Sequence, residues 1–214
     1  MLAKLVDAAI DPARLDVAVA ALEAELIPGF LAQEGAVRGY WCADTGTGHV
    51  LTVTLWRDAD SLLAAAAADG VARATVGDRV GLRLRSVQTL PVLAHSHGTD
   101  ASADPSDPGS IRVTWVDGVA PAMRDLVPRN YRSTLADQHA TAGFRGSYWL
   151  GDERSVEGCA LSLWDGSAHL DAGVDASHRR RRRLARTMGI HVSSVREYQV
   201  FGVADTARAP SLSA

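Results

Sequence analysis

Residues 40–56, YWCADTGTGHVLTVTLW, and residues 148–164, YWLGDERSVEGCALSLW, carry one pattern written twice, 108 residues apart. Both open on Tyr-Trp, place an Asp four residues later and close on Leu-Trp. At that fixed offset and without a gap, residues 35–92 match residues 143–200 at 14 of 58 positions, where ordinary composition gives about 4. The matches include rare residues: Tyr40 with Tyr148, Trp41 with Trp149, Trp56 with Trp164, and Gly81 with Gly189. A chain that repeats itself this way folds as two copies of one unit, so the unit is the object to read.

Each copy presents elements in the same order. In the first, an apolar run near Leu2–Val6 is followed by DPARLDVAVAALEAELIPGF, with Asp11 placed to cap a helix and Pro12 at its first position. Leu15, Val19, Leu22 and Leu26 recur at helical spacing and make one apolar stripe. VRGYWCAD and HVLTVTLW then read as two strands joined by the turn TGTG. DADSLLAAAAADGVARA reads as a helix capped by Asp58 or Asp60, and VGLRLRSVQTLPVL as a closing strand. The second copy runs as IRVTWVDG, a helix over PAMRDLVPRNYRSTLADQH, the strands FRGSYWLG and GCALSLW, a helix over SAHLDAGVDASHRRRRRLAR, and the strand HVSSVREYQVFGV.

The order βαββαβ, twice, is the ferredoxin-like unit: a four-stranded antiparallel sheet with two helices on one face. The fold class is therefore α+β, with residues 1–94 as the first repeat and 111–204 as the second. Between them HSHGTDASADPSDPGS, residues 95–110, is a Ser-, Asp-, Pro- and Gly-rich linker, and residues 205–214 form a C-terminal tail. Each sheet leaves one face uncovered, and the fusion is expected to pack those bare faces together.

Composition excludes several classes of function. A net charge of -3 gives no overall field for nucleic acid or an anionic membrane. No 18-residue uncharged apolar run is present, and Asp7 and Asp11 interrupt the N-terminal stretch, so a cytoplasmic protein with no membrane partner is expected. Cys42 and Cys159 fall at different places in the two copies and lack metal-ligand spacing, so neither a disulfide nor a metal site is expected. There is no phosphate-binding Gly-rich loop, no GxSxG and no cluster of carboxylates. Lys4, the single Lys beside many Arg, reads as the bias of a GC-rich genome.

Within LWDGSAHLDAGVDASHRRRR, residues 163–182, a strand ends in an aromatic, a capped helix follows, and His178 stands near that helix's end. Together with PGF at 28–30 and the RGYW that follows, this resembles the antibiotic biosynthesis monooxygenase-like branch of the dimeric α/β barrel superfamily. In that family two subunits usually make the barrel, so the resemblance implies a fused pseudo-dimer. It also implies a small-molecule substrate and a choice among cofactor-free oxygenases of aromatic polyketides, haem-degrading enzymes, cyclases and proteins without activity. The second copy has His178 and His169 where the first has Gly70 and Ser61, so a His-dependent site is expected in the second copy.

Strand alternation puts Ala160, Ser162 and Trp164 on one face, and Thr52, Thr54 and Trp56 on the matching face of the first copy. These faces either line a pocket or pack as matched aromatics. On the first reading Trp164, Trp149, Tyr148 and Ser162, with Trp56 and Trp41, bind substrate, while His178 or His139 moves protons. Arg145 then stabilises a developing oxyanion. The expected activity is cofactor-independent oxidation of an aromatic or polyketide-like substrate, a secondary-metabolism role. The rival readings are haem binding with His178 as axial ligand, its other nitrogen held by His139, Tyr148 or Asn130, and a non-catalytic pseudo-dimer. The run Arg179–Arg183 wraps more than one helical turn and reads as a solvated helix end. A monomer is expected, with a homodimer left open by exposed outer strands.

Overall fold

A computed structural model describes residues 1–97, 108–117, 127–151 and 157–207. Its strands are β1 (Leu2–Ala9), β2 (Ala36–Asp44), β3 (His49–Trp56), β4 (Arg83–His97), β5 (Ser110–Asp117), β6 (Phe144–Gly151), β7 (Gly158–Trp164) and β8 (His191–Asp205). They hydrogen-bond in the order β1-β3-β2-β8-β5-β7-β6-β4, a closed antiparallel barrel. The βαββαβ order thus holds in both copies, fused in one chain.

Two compact units divide the chain. One comprises Met1–Thr89 and the residues from Val200 onward, the other Leu90–Gln199. The boundaries fall inside β4 and β8, each of which begins in one unit and ends in the other. β4 extends to His97, so the first residues of the expected linker are strand, and 98–107 lie outside the described residues. Residues 121–126 of the third expected helix and 208–214 of the tail also lie outside them.

Register carries the duplication into three dimensions. Leu2 pairs with Trp56 across β1 and β3, as Ser110 pairs with Trp164 across β5 and β7. Both copies shift register at the start of the second strand, between Ala36 and Arg38 and between Phe144 and Gly146. Gly35 and Gly143, at φ 77° and 76°, make the same left-handed entry into those strands. A Cβ at Gly35 would stand 2.1 Å from Ser61 Oγ, and one at Gly143 2.3 Å from the His169 ring, so the backbone must approach both side chains closely.

The first unit's helices begin as the sequence predicts. Asp11 accepts from the Ala13 N–H at 3.0 Å and caps a 3₁₀ turn, Pro12–Arg14. The single helix expected after it is instead α1 (Leu15–Ala21), a π turn (Leu22–Leu26) and α2 (Ile27–Leu31). Pro28 has no N–H to return to residue 24, and the ladder widens just ahead of it. α3 (Ala59–Val80) is capped by Asp58, which accepts from Ser61 N at 2.8 Å and from Ser61 Oγ at 2.7 Å.

In the second unit α4 (Val127–His139) is regular, while the last helical segment breaks at Gly173 into α5 (Ser167–Ala172) and α6 (Val174–Met188). A Cβ at Gly173 would lie 3.1 Å from Cη2 of Trp164. In the first unit the matching residue is Ala65, within an unbroken α3.

The helix-facing side of the first sheet builds the main core of that unit: Ala8, Trp41, Ala43, Val50 and Trp56 meet Leu15, Ala18, Leu22, Phe30, Leu62, Val76 and Val80. The other face carries Leu5, Tyr40, Cys42, Leu51, Val53 and Leu55, all buried. Both faces are therefore apolar and covered, unlike an isolated sheet that shows one face to water.

Candidate functional site

A cavity of about 330 Å³ opens in the first unit on the helix-facing side of its sheet. β1 supplies Val6 and Ala8, β3 supplies Val50 and Thr52, and the π turn supplies Leu22 and Leu26. α3 contributes Gly70, Arg73, Ala74, Val76, Gly77 and Asp78, and Leu82 and Leu84 complete the wall. The space exists because small residues recur along the helix side. A Cβ at Gly70 would meet nothing within 4 Å, and one at Gly77 would first meet Leu82 O at 3.6 Å. Aliphatic walls with one hydroxyl and two charges are the usual form of a small-molecule site, and the volume sits at the small end of that range.

Arg73 ties the cavity to a partly buried charge cluster. Its Nη1 lies 3.0 Å from Asp69 Oδ2, and the same oxygen holds the Lys4 ammonium at 2.5 Å. The Lys4 side chain is only 7% exposed, and it stands on the helix-facing side of β1 in line with Val6 and Ala8, paired with Thr54 across to β3. Two cations share one carboxylate, and Asp78 brings a second carboxylate to the same wall. The sequence reading passed over Lys4, although its signal was present: a lone cation in LAKLVDAA, at a position that alternation assigns to the covered face.

The matching strand position in the second unit is Arg112, also buried, at 2% exposure. Its guanidinium is fully engaged: Nε donates to Glu197 Oε1 at 2.8 Å, Nη1 to Ser177 Oγ at 2.9 Å and Nη2 to the Leu170 carbonyl at 3.1 Å. Arg181, the counterpart of Arg73, loses basicity through burial and through the neighbouring Arg112 charge.

The residues singled out from sequence are dispersed. His178 is exposed on α6. His139 is the last residue of α4, its ring 5.5 Å from that of Phe144 and its Nε2 buried without a partner among the described residues. Arg145 Nε donates to Asp165, and its Nη1 is buried without a partner among the described residues. Tyr148 is buried with its ring 6.0 Å from His95, whereas Trp149 packs with Val116, Tyr131 and Ile190. The side chain of Asn130 is outside the described residues.

The tryptophans at the strand ends have one local chemistry in both copies. Trp56 Nε1 donates to Thr54 Oγ1, and Trp164 Nε1 to Ser162 Oγ, each at 3.0 Å. A hydroxyl two residues earlier on the same face satisfies a buried indole N–H, which is why both copies write Thr or Ser there. Phe30 meets Trp56 and Trp41 edge-on at 5.4 and 5.6 Å, and Phe144 meets Trp164 at 5.5 Å. None of these histidines or aromatics lines the first-unit cavity; Thr52, from the hydroxylated face of β3, does.

The cavity wall contains no His, Cys, Met or Tyr, so it offers no protein ligand to a haem iron. Among the described residues no three His, Cys, Asp or Glu side chains are grouped to hold a metal ion. Burial pushes both the Cys42 and Cys159 thiols far up from their ordinary range, away from nucleophilic chemistry. No helix among the described residues is long and apolar enough to cross a membrane.

No family model and no curated protein matches the chain. Solved structures do. An anthrone oxidase-like protein is 16% identical, with a TM-score of 0.64 over 100% of this chain and 97% of its own. A provisionally assigned monooxygenase from Fusobacterium nucleatum is 10% identical, with a TM-score of 0.67 over 95% of this chain and 94% of its own. A second such protein, from Lactobacillus acidophilus, is 10% identical, with a TM-score of 0.65 over 96% of both chains. At these identities the likeness is one of fold: two ferredoxin-like units in one polypeptide, with their strands in one closed barrel.

Proposed function

With the barrel of monooxygenase-like proteins as premise, we propose that this chain binds an aromatic, polyketide-like small molecule in the first-unit cavity and oxidises it without a bound cofactor. The observation that carries the reading is the apolar chamber of about 330 Å³ with Arg73 in its wall, joined through Asp69 to the buried Lys4. An anthrone is the test substrate, chosen because a neighbour in fold is an anthrone oxidase-like protein. In the overall reaction the ring methylene becomes a carbonyl with one atom of O₂, its two hydrogens leave with the other atom as water, and anthrone becomes anthraquinone.

The chain's own residues have three tasks in this scheme. Val6, Ala8, Val50 and Leu82 surround the rings and exclude water. Thr52 presents a hydroxyl to the substrate oxygen. Arg73 places fixed positive charge where the enolate forms, which lowers the cost of passing the methylene proton to Asp78, the carboxylate in the same wall. The electron-rich anion is the species that reacts with O₂, so the protein need only bind, ionise and shelter it.

Oxygen uptake with anthrone tests the reading. The wild-type chain should consume O₂ and anthrone one to one above the buffer rate. Arg73→Gln should lower kcat/KM about 10²-fold, and Thr52→Val about tenfold, the equivalent of ~1.4 kcal/mol. Uptake at the buffer rate, or an Arg73→Gln variant as fast as wild type, would overturn it.

A further inference from the structure

We propose that the second unit contains the counterpart of this cavity, closed by Tyr131, so that each chain takes one apolar aromatic ligand and gains a second site only when Tyr131 is cut back. The offset of 108 carries Ala8, Thr52, Gly77 and Leu82 of the cavity wall onto Val116, Ala160, Ala185 and Ile190. In the second unit those four pack together in one cluster with Tyr131 and Trp149. Residues that line an open chamber in the first unit thus have counterparts packed against Tyr131 and Trp149 in the second.

Tyr131 is fixed in that role. It is 6% exposed, and its hydroxyl donates to the Ser147 carbonyl at 2.9 Å. The same oxygen lies 2.6 Å from Ser147 Oγ and 3.4 Å from Ser96 Oγ. A buried phenol with these partners is held at both its apolar and its polar end.

Helix phase explains why the first unit has no such plug. By simple offset Tyr131 corresponds to Glu23, which is exposed. The helix ends Leu31 and His139, and the following strand starts Ala36 and Phe144, do keep the offset of 108. Upstream of them the π turn Leu22–Leu26 adds one residue that the regular α4 lacks. Counting that residue brings Leu22, a cavity-wall residue, opposite Tyr131. Leu in place of Tyr, with Ala8 and Gly77 in place of Val116 and Ala185, leaves the space that the second unit fills.

The occupancy of the first unit rests on the function proposed above; the closure of the second rests on its own packing. The test is a calorimetric titration of the full chain with 1-aminoanthracene, a neutral aromatic probe. Wild type and Tyr131→Phe should bind one equivalent, Tyr131→Ala two, and Leu22→Trp none. Two equivalents in wild type, or an unchanged count in Tyr131→Ala with its near-UV circular dichroism intact, would overturn the proposal. No binding in wild type but one equivalent in Tyr131→Ala would sink the first-unit reading and support the closed second site. If Tyr131→Ala does not fold, Tyr131→Leu, which carries the first unit's own residue, is read by the same outcomes.

Discussion

Lys4 and Arg112 occupy one strand position in the two copies and solve the same problem differently. Each is a cation beneath a helix, and each needs a counterion inside the fold, because an unpaired buried charge is strongly destabilising. Lys4 takes Asp69 from α3; Arg112 takes Glu197 from β8 and a hydroxyl from α6. Asp69 is 29% exposed and keeps Arg73 when Lys4 is removed, whereas Lys4 has no second carboxylate in the cluster. Asp69→Asn should therefore cost about 3 kcal/mol and Lys4→Met clearly less, read from urea midpoints at constant m-value. Equal costs, or a costlier Lys4→Met, would remove the shared-carboxylate account. Neither Lys4 nor Asp69 was singled out as a candidate from sequence. A single cation among apolar strand residues carries information only once alternation is followed through to the face it occupies.

Among the elements, the strands and their order were legible because period-two apolar patterning and a repeated register point to one answer. Helix starts were legible too, since Asp11 and Asp58 are side chains whose chemistry has a fixed place. The irregular interior of the first helix was not: a π turn ahead of Pro28 leaves the apolar stripe almost unchanged, yet it rotates everything upstream by one residue. The break at Gly173 escaped for a related reason, since only the ring of Trp164 lying against it makes a side chain there costly. The Asp58 cap makes a pH-dependent prediction. Hydrogen bonds from Ser61, with Arg57 beside it, hold the Asp58 carboxyl down at about 2, below the ordinary ~3.9. A depressed carboxyl stabilises the fold above its unfolded value and loses that contribution as pH falls through the folded one. Asp58→Ala should thus melt a few degrees lower at pH 7, and its gap to wild type should narrow between about pH 4 and pH 2. A gap of constant size across that window would show that the cap acts without its charge.

At the level of the whole molecule, the 108-residue repeat was enough to read a tandem pair of ferredoxin-like units. The proposed site rests on other residues than those the repeat makes conspicuous. His178, which the first copy lacks, is exposed on α6, whereas Arg181 within the arginine run is partly buried beside Arg112. The described cavity arises instead from what the first copy lacks: side chains at Gly70 and Gly77, bulk at Ala8 and a ring at Leu22. Absence of volume leaves little trace in a sequence until the helix register that brings the small residues together is known. The direct measurement is anthrone-dependent oxygen uptake by two single variants, one in each unit. Leu22→Trp, which fills the first-unit chamber, should abolish uptake while His178→Ala leaves it intact. Full uptake by Leu22→Trp together with its loss in His178→Ala would place the chemistry in the other unit and contradict the account.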